Sequence, residues 1–184
     1  MDGSGRSRAS STVIGNVLLI AVVVVLAGTA SAYVFGVTDG SPDPAPTVAQ
    51  STGELVPQAG NDGGIVRITH RGGDTLRVAD IEVAVDATDA CGKRGRLVDL
   101  PVDGFGGNAI GSSNIEGDDI FDERPSYLGG PDPGALGQST YTSDERLRFR
   151  IPERDCSIDD GARVTVRVVH TPTNAVVVER TLTA

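Results

Sequence analysis

The chain has 184 residues, enough for one ordinary domain in addition to a hydrophobic segment. Its formal net charge is −9, from 18 Asp and 7 Glu against 15 Arg and one Lys, which excludes nucleic acid as a partner because a phosphate backbone requires a basic patch. The excess of Asp and the scarcity of Lys favour an acidic, halophilic protein with a densely hydrated surface, and an ordinary acidic protein is the alternative.

The first predicted element is an apolar segment over residues 13–37 that contains no charged residue. Only Asn16, Thr29, Ser31 and Tyr33 carry polar side-chain groups within it. As a helix the segment would be about 37 Å long, which exceeds the ~30 Å hydrocarbon core of a bilayer. A helix packed on a small soluble domain would show a polar face, so this segment is predicted to lie in lipid or in another apolar environment.

The charges on either side of this segment predict its orientation. Arg6 and Arg8 precede it, whereas the first residues beyond it carry Asp39, Asp43 and Glu54 without Lys or Arg. The positive-inside rule therefore predicts a single-pass cell-membrane protein with a cytoplasmic N-terminus and its C-terminal region outside.

Three fates of the segment fit these observations. A secretory signal would be cut after Ala32, where residues 30–32 form a small-x-small site, and would release a soluble protein. A plain anchor would stay uncut. In the third case a cut before the segment leaves the whole of it at the mature N-terminus.

"RASSTVIG", residues 8–15, and the apolar run ending in "AYVFG" resemble the N-terminus of haloarchaeal type IV pilins. The resemblance implies that a prepilin peptidase cuts between Arg8 and Ala9. It also implies that the helix waits in the membrane and then packs against other pilin subunits in a filament core. On this interpretation residues 1–8 are the leader peptide, and residues 9–37 are the transmembrane and filament-core helix.

Gly28, Ala32 and Gly36 recur every four residues and would therefore share one side of the helix. Rows of small residues allow helix backbones to approach closely in an apolar medium, which predicts a helix-packing face. The alternative is ordinary helix-end composition with Gly36 as a C-cap.

Residues 38–64 are rich in Gly, Pro, Ser and Asp and are interpreted as a linker. Residues 65–184 follow a period of two, with Val66 and Ile68 on one face of a strand. The same alternation is found at residues 81–86, 146–151 and 162–183. In the first of these segments Ile81, Val83 and Val85 face inward. In the second, the inward-facing residues are Leu147, Phe149 and Ile151, and the outward-facing residues are Arg146, Arg148 and Arg150. This alternation predicts an antiparallel sandwich or barrel-like β-domain, and with the long N-terminal helix an α+β fold.

The segments "GGIVRITHRGGDTL" and "VTVRVVHTPTNAVVVERTLT" also resemble the extracellular β-domain of haloarchaeal pilin-like proteins. Between them, short strands are predicted at residues 97–102 and 120–121 within long loops. Tyr127 and Tyr141 are interpreted either as contact residues on a filament exterior or as tyrosines that pack a loop against the sheet.

Cys91 and Cys156 both follow the apolar segment. If this region lies outside the cell, one disulfide between them is expected, and two free buried thiols are the alternative. Asp118, Asp119, Asp122 and Glu123 are the best candidates for Ca²⁺ ligands, but their spacing does not match an EF-hand and a solvated acidic loop explains them without metal. No metal site is therefore predicted.

No motif of a hydrolase, a metalloprotease or a nucleotide-binding loop is present in the sequence, and neither catalytic residues nor a cofactor are predicted. The sequence is interpreted as a structural subunit of a type IV pilus-like surface filament that serves adhesion, with the membrane, a prepilin peptidase and other pilin subunits as partners. The alternative is a single-pass membrane protein that never polymerises and carries an extracytoplasmic β-sandwich as a binding module.

Overall fold

A computed structural model of the chain describes residues 7–38, 44–58 and 63–184, and the chain divides into two compact units, Met1–Asp43 and Pro44–Ala184. The described part of the first unit is helix α1, Ser7–Thr38, and side chains within it are described for residues 13–29 and Ser31. The second unit is built from antiparallel strands, so the predicted α+β class is confirmed. In the described ranges no helix is long and apolar enough to cross a membrane.

The described residues of the second unit form two larger antiparallel sheets, in the orders β1-β2-β8 and β10-β9-β4-β5-β6, and a small β3-β7 pair. Two short helices, α2 (Thr88–Cys91) and α3 (Gly104–Gly107), lie in the connections. The strands are β1 (Val48–Pro57), β2 (Gly64–Gly73), β3 (Leu76–Arg77), β4 (Ile81–Ala87), β5 (Lys93–Leu97), β6 (Ile115–Gly117), β7 (Thr140–Tyr141), β8 (Arg146–Ile151), β9 (Arg163–His170) and β10 (Ala175–Thr183).

Both larger sheets contribute alternate side chains to one contiguous hydrophobic core. Strand β4 shows this most clearly, because every second residue from Ile81 to Ala87 is buried. The predicted inward-facing residues are confirmed as buried, namely Val66, Ile68, Ile81, Val83, Val85, Leu147, Phe149 and Ile151. The alternation of period two is thus the pattern of a two-layer β-domain with one face of each sheet in the core.

Strand β1 lies inside the 38–64 segment that the sequence predicts to be a linker. Its own pattern is weak, because only Ser51 and Leu55 of its ten residues are buried. Pairing with β2 along its whole length makes it a strand in spite of its composition. Gly53 allows the edge strands β1 and β10 to adjoin, since a Cβ there would lie 2.7 Å from Leu182 Cδ2. Residues 39–43 and 59–62 of the predicted linker lie outside the described residues.

The chain reaches β1 through a fixed point at Thr47. The Asp74 backbone N–H donates to Thr47 O at 2.9 Å, and the Thr47 N–H donates to Asp74 Oδ2 at 2.9 Å. Gly73 has a φ of +121°, and a Cβ there would lie 2.3 Å from Thr47 O. Glycine is therefore required for this close approach, which holds the start of β1 against the end of β2.

The middle region forms strands at other places than predicted. Strand β5 ends at Leu97, where a strand was predicted to begin, and residues 120–121 are buried in a loop that belongs to no strand. Phe121 packs edge-on against Phe149, with 5.5 Å between ring centroids. Gly95 leaves room for this ring, since a Cβ there would lie 2.7 Å from Phe121 Cε2. Close packing in the core therefore places this loop without strand pairing.

Arg150 is buried, although the alternation in β8 predicts that it faces outward. The loop that follows Phe121 covers it: the Asp122 N–H donates to Arg150 O at 3.0 Å, and the Arg150 guanidinium is paired with the fully buried Asp122 carboxylate. Arg124 Nε donates to the same carboxylate at 3.0 Å. Burial would raise the pKa of Asp122, but the hydrogen bonds from Arg124 and Arg150 hold it below its ordinary value.

Asp122→Asn is expected to lower the free energy of unfolding by about 3 kcal/mol at neutral pH, because it leaves the Arg150 charge buried without a carboxylate partner. Since the pKa of Asp122 is lowered on folding, this stabilisation is complete above the ordinary value of 3.8 and is lost as the pH falls through the folded-state pKa. Urea unfolding at a series of pH values measures both effects. Asp89→Asn removes a carboxylate that pairs with Arg163 at an exposed site, and it should remain close to wild type; equal losses in the two variants would contradict the prediction.

Cys91 and Cys156 form a disulfide, with 5.5 Å between their Cα atoms. It connects the end of α2 to the segment after β8 and closes a loop with a sequence separation of 65 residues. Lys93 lies beside it and donates from Nζ to Asp155 O, so the chain's one lysine also connects these two segments.

Reduction of this disulfide is expected to lower the free energy of unfolding by about 4 kcal/mol, because the released loop regains conformational entropy in the unfolded chain. Chemical unfolding with and without reductant measures the change. The Cys91→Ser/Cys156→Ser double variant should match the reduced wild type and should not respond to reductant. A wild-type protein with equal stability in both conditions would contradict the expectation.

Candidate functional surfaces

The described part of α1 exposes apolar side chains on all sides. Eleven large apolar residues between Val13 and Leu26 are each 55–64% exposed in the isolated chain. Beyond these residues, Thr29 donates its hydroxyl to Val25 O and to Leu26 O, each at 3.0 Å. Because this hydroxyl is satisfied within the helix, Thr29 adds no demand for water at this end of the apolar surface.

The predicted packing row is only partly described. Apart from its chain neighbours and the backbone of its own helix, no described heavy atom lies within 4 Å of the position that a Cβ at Gly28 would take, so the helix surface is open at this point. Ala32 and Gly36 belong to α1, but their surroundings lie outside the described residues. The same holds for the side chains of Arg8 and Ala9 at the predicted processing site, where the backbone is helical.

The predicted Ca²⁺ candidates do not form a common site. Asp118 Oδ2 accepts the Arg94 N–H at 2.8 Å, Asp119 Oδ1 accepts the Phe121 N–H at 3.5 Å, and the Asp122 carboxylate is occupied by two arginines. In the described ranges no three carboxylate, histidine or cysteine side chains are grouped so that they could hold a metal ion. Asp118, Asp119 and Asp122 thus make hydrogen bonds or ion pairs within the domain, and Glu123 is exposed beside them.

The outer face of the five-stranded sheet carries cross-strand ion pairs. Arg167 Nε lies 3.0 Å from Glu179 Oε2, and this guanidinium lowers the pKa of Glu179 below its ordinary value. Arg96 NH1 lies 3.3 Å from Glu82 Oε2. These exposed pairs contribute little to stability, and they give the face both donors and acceptors. They border an open depression of about 540 Å³ that is lined by Ala84, Asp86, Arg94, Arg96, Glu116 and Arg167 among others.

Both histidines are engaged in local structure. His70 is buried, its Nε2 lies 3.1 Å from Gly72 O, and its ring packs against Tyr141. His170 Nδ1 lies 2.8 Å from Thr173 Oγ1, within the β9–β10 turn.

The two tyrosines that the sequence treats alike have opposite environments. Tyr141 is fully buried and donates its hydroxyl to Ile68 O at 2.9 Å, and burial followed by the nearby Glu145 charge raises its pKa. Tyr127 is exposed and meets Phe105 edge to face, with 6.5 Å between ring centroids. Phe105 is not among the contact residues predicted from the sequence. Its position in "GFGG", where an aromatic residue interrupts a glycine-rich loop, is the signal that could have identified it.

Comparison with known proteins gives two findings. Residues 8–50 match the family model of the archaeal type IV pilin N-terminal region, which covers α1 from Arg8 and continues to Gln50 in β1. The chain is also similar to an uncharacterized protein of Archaeoglobus fulgidus, with 27% identity over 113 residues that cover 54% of this chain and 77% of the relative. The apolar helix and the segment that leads into the β-domain are thus similar to the N-terminal region of archaeal type IV pilins.

Proposed function

We propose that the chain is a structural subunit of a type IV pilus-like surface filament, assembled through its N-terminal helix. The observation that carries the proposal is the family match over residues 8–50 together with the exposed apolar surface of α1. Such proteins are structural, and the function is expected to be attachment of the cell to surfaces.

The apolar surface of α1 requires an environment that surrounds the helix completely. Covering the remaining exposed area of its eleven large apolar side chains would contribute roughly 10–20 kcal/mol. Packing on one flat protein surface would leave the opposite side of the helix in water, because the apolar residues are distributed all round. A lipid bilayer before assembly and a bundle of identical helices after assembly both surround the helix completely.

The segments of the chain take distinct roles in this proposal. Residues 1–8 form a leader that a prepilin peptidase removes between Arg8 and Ala9, and residues 9–37 form the membrane and filament-core helix. The β-domain then lies outside the cell, with the N-terminus of the precursor in the cytoplasm. The Cys91–Cys156 disulfide supports this location, since such bonds persist in oxidising extracytoplasmic compartments.

The mature protein is expected to begin at Ala9. Mass spectrometry of the intact protein and of its N-terminal peptide, purified from membranes and from sheared surface filaments, measures this directly. Arg8→Ala should leave the leader attached, because the peptidase requires a basic residue before the cut. A mature chain that begins at Met1 would favour an uncut anchor, and one that begins at Tyr33 would contradict the proposal.

Gly28→Leu is expected to reduce the number of surface filaments at least tenfold while the protein still accumulates in the membrane, because the larger side chain keeps neighbouring helices apart. Ala27→Leu is the matched control: it enlarges the adjacent residue, which is rotated about 100° round the helix. Electron microscopy of cells, with immunoblots of membrane fractions, provides the readout. Normal filaments in Gly28→Leu, or equal defects in both variants, would contradict a packing role of this row.

A further inference from the structure

The β-domain concentrates its exposed apolar side chains in one place. Among its described residues the exposed large apolar side chains are Phe105, Tyr127, Leu128 and Val176, and the first three are the most exposed at 70%, 68% and 58%. Phe105 and Tyr127 are in ring contact, and Leu128 follows Tyr127 in the chain. Exposed apolar groups scattered singly need no explanation, but a group of them does.

Aromatic residues make up only 4% of the chain, and those in the core are completely covered. Phe121, Phe149 and Tyr141 each have no exposed surface. The domain therefore buries its other described aromatic rings and leaves one pair in solvent, so that the pair is a distinct feature of the surface. We name the surface formed by Phe105, Tyr127 and Leu128 the aromatic platform.

The backbone of Phe105 has a conformation that is unfavourable for a residue with a side chain. Its φ and ψ are 42° and 61°, in the left-handed region that residues with a Cβ rarely adopt. The base of the loop is closed by a hydrogen bond of 3.1 Å from the Ala109 N–H to Gly104 O, and a Cβ at Gly104 would lie 2.8 Å from Gly111 N. A residue that is strained in its backbone and exposed in its side chain contributes little to folding, which points to a role in contact.

The loop that carries Tyr127 is equally constrained. The Gly130 N–H donates to Pro125 O at 3.0 Å, and the Leu128 N–H donates to the same oxygen at 2.9 Å. A Cβ at Gly130 would lie 1.7 Å from Arg124 O, so only glycine fits at this point of the turn. Both rings are thus presented by loops with fixed backbones, which lowers the entropy lost when a ligand orders them.

Size and charge select the partner. Three side chains fall well short of the ~800 Å² that each partner of a stable protein–protein complex buries. The net charge of −9 opposes approach to an anionic membrane surface. Residues 103–107 and 125–130 contain one charged side chain, Asp103, and no cation, so they offer nothing to a polyanion. The platform therefore fits a small, neutral partner with an apolar face.

We propose that the aromatic platform binds neutral β-linked glucopyranose chains, with the sugar stacked on one ring face, because the two rings meet at 66° and do not share a plane. In such chains the hydroxyl groups are equatorial, so that the C–H groups form apolar faces on the pyranose ring. These partly positive hydrogens match the negative face of an aromatic ring. The exposed Asp103 carboxylate and Ser126 hydroxyl adjoin the platform in sequence and can accept hydrogen bonds from sugar hydroxyls at its border.

A platform of three side chains is expected to bind each sugar chain weakly. The inference rests on the proposed function in one respect: a filament would repeat the platform along its length, and the repeated weak contacts would combine into firm attachment. Binding by the unassembled protein does not depend on that step. A failure of sugar binding therefore leaves the filament proposal intact, and a failure of assembly leaves the platform testable.

Saturation-transfer NMR with full-length protein in detergent and cellohexaose as probe tests the proposal. We expect transfer to the sugar C–H protons and a millimolar Kd, with at least tenfold weaker binding of maltohexaose, whose α-linkage curves the chain. Tyr127→Ser should weaken cellohexaose binding at least tenfold. Val176→Ala, which removes an exposed apolar side chain from β10, should leave it unchanged.

Phe105→Gly separates a role in contact from a role in folding. Glycine adopts the left-handed backbone without strain, so this variant should lose sugar binding while its urea unfolding midpoint stays the same or rises. No binding of cellohexaose by wild type, retained binding by Phe105→Gly, or loss of binding only together with stability would overturn the proposal. Loss of filaments in Phe105→Gly with unchanged sugar binding would also overturn it and would make the platform a subunit contact.

Discussion

The uniform apolarity of α1 is the constraint on which the rest of the molecule depends. Between Val13 and Leu26 the helix has no side that water would favour, and the Thr29 hydroxyl that follows is satisfied by the turn before it. An environment that encloses the helix is therefore required at every stage. Lipid and a bundle of helices are equivalent in this respect, because neither offers or demands hydrogen bonds. Under the proposed function, the same residues would consequently serve both a membrane-bound precursor and an assembled subunit.

The β-domain forms a compact unit of its own, Pro44–Ala184. The domain accordingly has its own core, its own disulfide and its own buried ion pair. Its two adjoining edge strands are joined by Arg180, whose Nε and NH2 donate to Ser51 O at 3.2 and 2.7 Å. An occupied edge is a poor template for a strand of another chain. Polymerisation would thus be directed to the helix, and unwanted sheet pairing between concentrated subunits would be reduced.

The sequence predicted those parts of the fold in which one strand face is buried and the other is solvated. Strands β2, β4, β8, β9 and β10 were recognised from this alternation, which is a local property. Strand β1 was missed because its pairing with β2 determines its structure, and its own residues show almost no pattern. Arg150 was assigned to the surface because alternation cannot reveal that a loop 28 residues away covers it with Asp122. The pairing of Cys91 with Cys156 could be predicted because a chain with two cysteines allows one intramolecular disulfide.

The contrast between Tyr141 and Tyr127 shows why the candidate surface was harder to predict than the fold. Both tyrosines lie in polar, glycine-rich sequence, and only a partner 73 residues away, Ile68, distinguishes the buried one. What makes Tyr127 a surface feature is its contact with Phe105, whose strained backbone becomes visible only in three dimensions.

The modest size of the aromatic platform is itself consistent with a repeated subunit. A larger apolar surface would bind one ligand more tightly, but it would also cause isolated subunits to associate through the wrong faces. A small platform would avoid that association in the unassembled protein, and repetition along the proposed filament would restore the strength of attachment through effective concentration. Weak binding by one subunit and firm attachment by many would therefore be two consequences of the same few side chains.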